Sequence, residues 1–262
     1  MIVPDNYIDV WCSSLDAIRD PALVGSYRSL LSLEEAERHS RFLREEDRNQ
    51  FLLSRALVRD VLSRYVGMQP SALVFTQNEF GKPCLTTSAD RPITFSLSHT
   101  GGLSVCAVAL ERPIGVDVES LQRTSCHPDI ARRFFASSEA DFLDRFDGDR
   151  KRTEFLRLWT LKEAFVKARG KGLSIPLDSF AMALSSDHPT RISFTGGEHG
   201  READWQFLHM RVGSSFHIAV AVSSPDTRGR VVRFLRIIPL SGESSSVVLE
   251  PNLLDEWALD DV

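Results

Sequence analysis

Apolar positions along the chain recur with two periods, and the switches between them outline its elements. Within Leu158-Trp159-Thr160-Leu161-Lys162-Glu163-Ala164-Phe165-Val166-Lys167, the residues Leu158, Leu161, Ala164 and Phe165 fall at helical spacing. A helix with one buried side is therefore expected over 155–169, ended by Gly170 and Gly172. A second long helix is expected over 45–65, where Phe51, Leu52, Ala56, Leu57, Val61 and Leu62 form the stripe and Gly67 and Pro70 close it. Ser32-Leu33-Glu34-Glu35 reads as the capped start of a shorter helix, and 130–135 and 138–146 also read as helical. Strands are expected at 7–12, 73–76, 93–98, 103–110, 115–119, 180–184, 192–194, 205–212 and 216–222. Turns at Phe80-Gly81-Lys82-Pro83, Thr100-Gly101-Gly102 and Glu111-Arg112-Pro113 separate several of them.

A long helix followed by antiparallel strands thus occurs twice. The two main helices align as Ser54-Arg55-Ala56-Leu57-Val58-Arg59 against Lys162-Glu163-Ala164-Phe165-Val166-Lys167. The reading is an internal duplication into two α+β halves of about 100 residues each, with a cleft between them. The division expected is 1–113 and 114–224, followed by an extension over 225–262. That extension reads as a linker at 225–230, an added strand at 231–238 and an acidic end at 253–262, with no assigned role.

Composition narrows the function. Hydrophobic residues make up 42% of the chain, including 16 Phe, which is ample for a core. A net charge of −5 argues against a nucleic-acid binder with a broad basic face. Arg38, Arg41, Arg44 and Arg48 form a local basic run that suits a small polyanion. Cys12, Cys84, Cys106 and Cys126 are scattered and form no zinc or disulfide pattern. No apolar run approaches the roughly 18 residues of a membrane span. Met1-Ile2-Val3-Pro4-Asp5 has no signal-peptide character, so a reducing cytoplasm is the expected compartment.

On the strand at 115–119, Asp117 and Glu119 are two apart and share one side of the sheet. On the helix, Glu163 and Lys167 are four apart and share one face. Singly these are an ordinary strand with a wet side and an ordinary surface ion pair. Together, three carboxylates from two rigid elements suit one hard divalent cation, Mg²⁺ rather than zinc, with a lysine beside it for a phosphate. The corner Ser96-Leu97-Ser98-His99-Thr100-Gly101-Gly102 can offer hydroxyls, N–H groups and an imidazole to phosphate oxygens. Its alternative is a plain hairpin with a structural histidine. No GxxxxGK[ST], GxGxxG or GxSxG motif is present, which disfavours ordinary ATP and dinucleotide sites and a serine nucleophile.

The ordered set FGKP, FSLSHTGG, PIGVDVE, RFF and LWTLKEAFVKARGKGLSIPLDSF resembles the 4′-phosphopantetheinyl transferases of the larger, surfactin-synthetase-activating (Sfp-type) class, from about Arg38 to about Val222. The resemblance implies a pseudo-dimer of two similar α+β halves, each a small antiparallel sheet packed with a long helix, holding coenzyme A between them. It implies transfer of the phosphopantetheine arm to a serine of an acyl or peptidyl carrier protein, with release of adenosine 3′,5′-bisphosphate. Asp117, Glu119 and Glu163 match Mg²⁺ ligands, and Arg38, Lys82, Ser98, His99 and Lys167 match coenzyme A contacts, with Asp117 and Glu163 meeting the pyrophosphate through the ion. Glu163, directly or through a water on the ion, would take the serine proton, and Lys167 would place positive charge on the phosphate. Glu35 departs from relatives that carry a basic residue there, leaving Arg41 or His39 as substitutes for gripping the 3′-phosphate. An acidic carrier is expected to meet 120–135, with Arg123, Arg132 and Arg133, or else these arginines only flank a helix. The carrier pathway (fatty-acid, polyketide or nonribosomal-peptide) is open, no nucleic acid or membrane partner is expected, and a duplicated chain suffices as a monomer. A relative that binds coenzyme A or carriers without transfer is the alternative; the retained carboxylates and Lys167 speak against it.

Overall fold

The first half of the chain runs β1 (Tyr7–Ser14), α1 (Pro21–Ser29), α2 (Leu33–Arg41), α3 (Glu45–Val66), β2 (Phe75–Gln77), β3 (Pro83–Leu85), β4 (Ile93–Thr100) and β5 (Leu103–Leu110). The second runs β6 (Ile114–Ser120), α4 (Ala131–Phe134), α5 (Ser137–Leu143), α6 (Gly148–Arg169), β7 (Phe180–Ala183), β8 (Arg191–Phe194), β9 (Trp205–Val212) and β10 (Phe216–Ser223). Three further strands follow: β11 (Val231–Ile237), β12 (Ser244–Leu249) and β13 (Glu256–Leu259). The computed structural model describes residues 7–18, 20–87, 92–122, 128–184, 190–195, 200–213, 215–224, 231–249 and 256–259. Among these, no helix is long and apolar enough to cross a membrane.

The two halves repeat one plan. Each has a leading strand, a 22-residue helix, a short hairpin and two long strands, paired in the order β1-β5-β4 and β6-β10-β9. Both helices end on a left-handed glycine, Gly67 at φ 68° and Gly170 at φ 66°, where a side chain would be strained. Matching these ends pairs Arg59 with Lys162, Asp60 with Glu163 and Arg64 with Lys167, so the alignment of 54–59 with 162–167 is out of step with the fold. The buried contacts confirm the corrected step. Arg59 donates to Glu35 at 2.8 Å and to the Leu73 carbonyl at 2.9 Å, and Lys162 donates to Glu139 at 2.5 Å and to the Phe180 carbonyl at 2.8 Å. Two helical residues share a face whether or not a partner stands opposite, so similarity of type misled where contacts decide.

Within each half the long strands pair antiparallel, as expected, whereas two strands added beyond residue 224 do not. β11 lies parallel to β1, and β13 lies parallel to β9. Neither strand is joined by a hairpin to its parallel neighbour: β11 follows β10 and β13 follows β12, each a strand of the other sheet, which frees them to enter in the same direction as their neighbour. The segment 225–262 therefore extends both sheets, with β11 and β12 on the first and β13 on the second. Its expected linker at 225–230 lies outside the described residues. Arg233 of β11 clamps the fully buried Asp9 at 2.6 and 2.7 Å, and Tyr65 donates to the same carboxylate at 2.5 Å.

The layers run helix, sheet, sheet, helix. Val10, Val105 and Ala107 of the first sheet share an apolar cluster with Val116, Val118, Ile218 and Val220 of the second. α3 covers the outer face of the first sheet through Leu57, Val58, Val61 and Leu62. α6 covers the second, with Phe165 fully buried against Phe180, Trp205 and Phe207. Because strand side chains alternate, Val116 and Val118 facing the other sheet put Asp117 and Glu119 on the α6 side.

Candidate active site

The site lies where the two sheets abut. The first sheet ends at β4 and the second at β6, and serine hydroxyls join them. Ser96 Oγ accepts from the Val116 N–H at 3.0 Å, and Ser98 Oγ accepts from the Val118 N–H at 3.4 Å. Against the other side of β6, α6 comes so near that a Cβ on Gly115 would sit 1.9 Å from the Ala164 carbonyl oxygen. The glycine of GVDVE is thus a close-approach residue that lets Asp117 meet the α6 side chains.

Three predicted residues are brought together here. Asp117 Oδ1 accepts from Lys167 Nζ at 2.6 Å and from Ser98 Oγ at 2.9 Å, and Lys167 Nζ also donates to Ser98 Oγ at 2.8 Å. Asp117 Oδ2 is buried with no hydrogen-bond partner among the described residues. Glu163, half-buried one helical turn before Lys167, has its carboxyl pushed above the usual range by burial and then by the Asp117 charge. Lys167 opposes that rise and Glu119 adds to it. Glu119 is buried on the same face of β6, opposite His217, which bonds His209 at 2.7 Å.

The expected convergence of Asp117, Glu119 and Glu163 on one ion is not formed in this arrangement. Among the described residues no three acidic, histidine or cysteine side chains stand at metal-holding distance. The Lys167 ammonium pairs with Asp117 at 2.6 Å. The donor set nonetheless fits a hard divalent cation. An unpartnered, buried carboxylate oxygen and a neighbouring carboxyl lifted by like charge are what such an ion would relieve.

Basic groups gather around His99, next to Ser98 on β4. His99, exposed at the end of β4, has the pKa of its imidazole lowered by partial loss of solvent and then by Lys167, Arg55 and Arg38. Arg38 is exposed on α2 with its guanidinium 5.5 Å from the centre of the Phe51 ring. Arg55 sits 5.2 Å from the same ring, with a buried Nε that has no partner among the described residues. Sequence reasoning missed Arg55, because aligning it with Glu163 hid it. Glu35 is engaged by Arg59 at 2.8 Å and by Arg55 at 3.6 Å. Against the upward push of its own burial, the Ser32 N–H and these arginines hold its carboxyl below the usual range. Of the expected substitutes, Arg41 pairs with Glu37 on an exposed face and His39 packs 6.3 Å from the Phe51 ring.

A cavity of ≈ 340 Å³ opens between the halves, within the range of small-molecule sites. Phe80, Lys82, Phe95 and Leu97 of the first half face Glu163, Val166, Lys167 and Gly170 of the second across it. Lys82 lines this cavity, but its ammonium donates to the Ile114 carbonyl at 2.9 Å and the Ala168 carbonyl at 3.3 Å, and burial brings its pKa down to about 8. In the segment expected to meet a carrier, Arg132 pairs with Asp144, while Arg133 lies over the half-exposed Phe134 ring. Arg123 falls outside the described residues.

Comparison with known proteins agrees with this arrangement. Residues 113–221 match the model of the 4′-phosphopantetheinyl transferase superfamily, and 24–111 match the 4′-phosphopantetheinyl transferase N-terminal model. The chain is 35% identical over 200 residues to 4′-phosphopantetheinyl transferase Sfp of Bacillus subtilis, covering 76% of this chain and 85% of that protein. It is 34% identical to 4′-phosphopantetheinyl transferase HetI of Nostoc, covering 74% and 78%. A crystal structure of Thermotoga maritima holo-[acyl-carrier-protein] synthase overlaps 56% of this chain and 98% of its own at 17% identity and a TM-score of 0.37, too slight a likeness to add to this. The seam of two α+β halves, the Asp117–Lys167–Ser98 cluster and these matches lead to one assignment: the chain belongs to the 4′-phosphopantetheinyl transferase superfamily, as a transferase of the Sfp type.

Proposed function

We propose that the chain moves the 4′-phosphopantetheine arm of coenzyme A to a serine of an apo acyl or peptidyl carrier protein, with Mg²⁺, and releases adenosine 3′,5′-bisphosphate. The observation that carries this reading is the seam cavity, where Glu163 and Lys167 of one half face β4 of the other, with Asp117, bonded to Lys167, keeping an unpartnered oxygen behind them. Arg38, Arg55, His99, Ser98 and Lys167 would meet the anionic groups of coenzyme A: Lys167, Arg55 and Arg38 all act on the His99 imidazole, and Lys167 bonds Ser98. The Phe80–Pro83 turn walls the cavity that Lys167 lines. Asp117, Glu119 and Glu163 would hold the ion, which when bound supplies Lewis-acid polarisation of the pyrophosphate.

The chain's own groups do the rest. Lys167 carries a point charge that can leave Asp117 Oδ1 for a phosphate oxygen within its reach. Ser98 bonds both Asp117 and Lys167 and so keeps their side chains oriented. Glu163, with a carboxyl of raised basicity at the cavity wall, is suited to accept the proton of an attacking serine hydroxyl. Both walls come from one chain, so a single copy completes the site.

The test is incubation with coenzyme A, Mg²⁺ and a panel of apo carrier proteins, read by intact mass. A phosphopantetheine adduct on at least one carrier is expected. Tight coenzyme A binding with no adduct on any carrier would replace the reading with that of a binding module.

A further inference from the structure

The Phe80-Gly81-Lys82-Pro83 turn faces the cavity on one side, yet its strongest contacts run elsewhere. Asn78, just before it, shapes the turn with its side-chain oxygen, which accepts from the Phe80 N–H at 3.0 Å and the Lys82 N–H at 2.8 Å. Its side-chain nitrogen reaches across the seam and donates to the Gly170 carbonyl at 2.8 Å. Lys82 joins the same grip, donating to Ile114 at the start of β6 and to Ala168 in the last turn of α6. The fit is close: a Cβ on Gly170 would lie 2.9 Å from Lys82 Cδ and 3.2 Å from Asn78 Nδ2.

The bonded carbonyls belong to the two elements whose side chains make the site. α6 carries Glu163 and Lys167, β6 carries Asp117, and the 2.6 Å contact of Lys167 with Asp117 depends on how these elements lie against each other. Terminal helix carbonyls have no partners within their own helix, and here a turn of the other half supplies them. Resting on the transferase reading above, we propose that Asn78 is a positioning residue: from the first half it caps α6 and thereby sets Glu163 and Lys167 against Asp117. Lys82 acts in the same clasp, pinning α6 to β6 through its ammonium.

Asn78→Asp tests this, because it keeps the acceptor for the Phe80 and Lys82 N–H groups but exchanges the donor to Gly170 for a negative oxygen at a helix C-terminus. The expected result is a fall in kcat of about tenfold with KM for coenzyme A changed less than about threefold. Asn78→Ser, whose hydroxyl can still cap the turn but is too short to reach Gly170, should give the same split and serves if the aspartate variant folds poorly. In a Lys167→Ala background the penalty of Asn78→Asp should shrink, to less than about threefold if Lys167 carries most of the effect, because one of the two groups it positions is gone.

Unchanged kcat in both folded variants, a loss confined to KM, or penalties that multiply fully in the double variant would each overturn the proposal. If the wild-type chain modifies no carrier, the transferase reading fails by itself, and hydrogen exchange still decides the clasp. Exchange of the 166–170 amides must then rise at least about tenfold in Asn78→Asp, and unchanged exchange refutes it.

Discussion

Gly115→Ala asks how tightly the reaction depends on the approach of α6 to β6. The added carbon would stand 1.9 Å from Ala164 O and 2.3 Å from Ala168 N, both backbone atoms of a buried helix, whereas ordinary contact begins at 3.4 Å. Neither atom can rotate away, so α6 must withdraw from β6 by roughly 1.5 Å. The same withdrawal lengthens the 2.6 Å link between Lys167 and Asp117, which lie on these two elements. Overpacking of this kind costs about 1–3 kcal/mol of stability, and a displacement near 1 Å at a reacting centre costs on the order of a hundredfold in rate. Carrier modification followed by intact mass at early times, beside urea unfolding followed by tryptophan fluorescence, separates the two effects. The expected outcome is a cooperative, less stable protein with transfer reduced on the order of a hundredfold. A rate within threefold of wild type would show that the approach at Gly115 does not set the geometry of the acids and the lysine, and the reasoning would fail.

Other expectations follow from single contacts. Asp117→Ala should abolish measurable transfer while unfolding stays cooperative; near-normal turnover would remove Asp117 from the site. Lys162→Met strands the buried Glu139 and should cost about 3–5 kcal/mol in urea unfolding, with Glu139→Gln in the same chain restoring part of it; additive losses would contradict the pairing. Arg233→Ala leaves Asp9 buried beside Tyr65 alone and should lower the urea midpoint strongly although it lies in the added strand, a result that an unchanged midpoint would refute. Burial, then Arg211 and Arg157, lowers His217 to about 4, so its unfolded form binds the proton first as pH falls. The His217 contribution to stability should therefore be constant above about pH 6.5 and be lost from there toward pH 4, and His217→Gln should remove that part of the decline in Tm measured against pH.

Much of the fold follows from local pattern. The stripes of 45–65 and 155–169 and their closing glycines mark α3 and α6, and alternation marks β4, β5, β6, β9 and β10, because burial of one face and a left-handed cap are properties of neighbouring residues. α6 begins earlier than expected, at Gly148, since its first turns are polar and show no stripe. α1, β12 and β13 went unanticipated for the same want of periodicity. Strand spacing alone puts Asp117 and Glu119 on one face, and helix spacing puts Glu163 and Lys167 on another, before any contact is known.

What stands across from those faces belongs to tertiary structure alone. The parallel entry of β11 and β13, the true step of the duplication, the basic role of Arg55 and the hold of Asn78 and Lys82 on α6 all arise between residues far apart in the chain. The duplicated helices make the point. Asp60 and Arg64 pair with each other at 3.1 Å, and Asp60 accepts from the Leu240 N–H of the tail, while the matching Glu163 and Lys167 face the seam and Asp117. The same spacing yields a structural pair in one half and the candidate catalytic pair in the other, because the element packed opposite, and not the helix itself, decides what its charges meet.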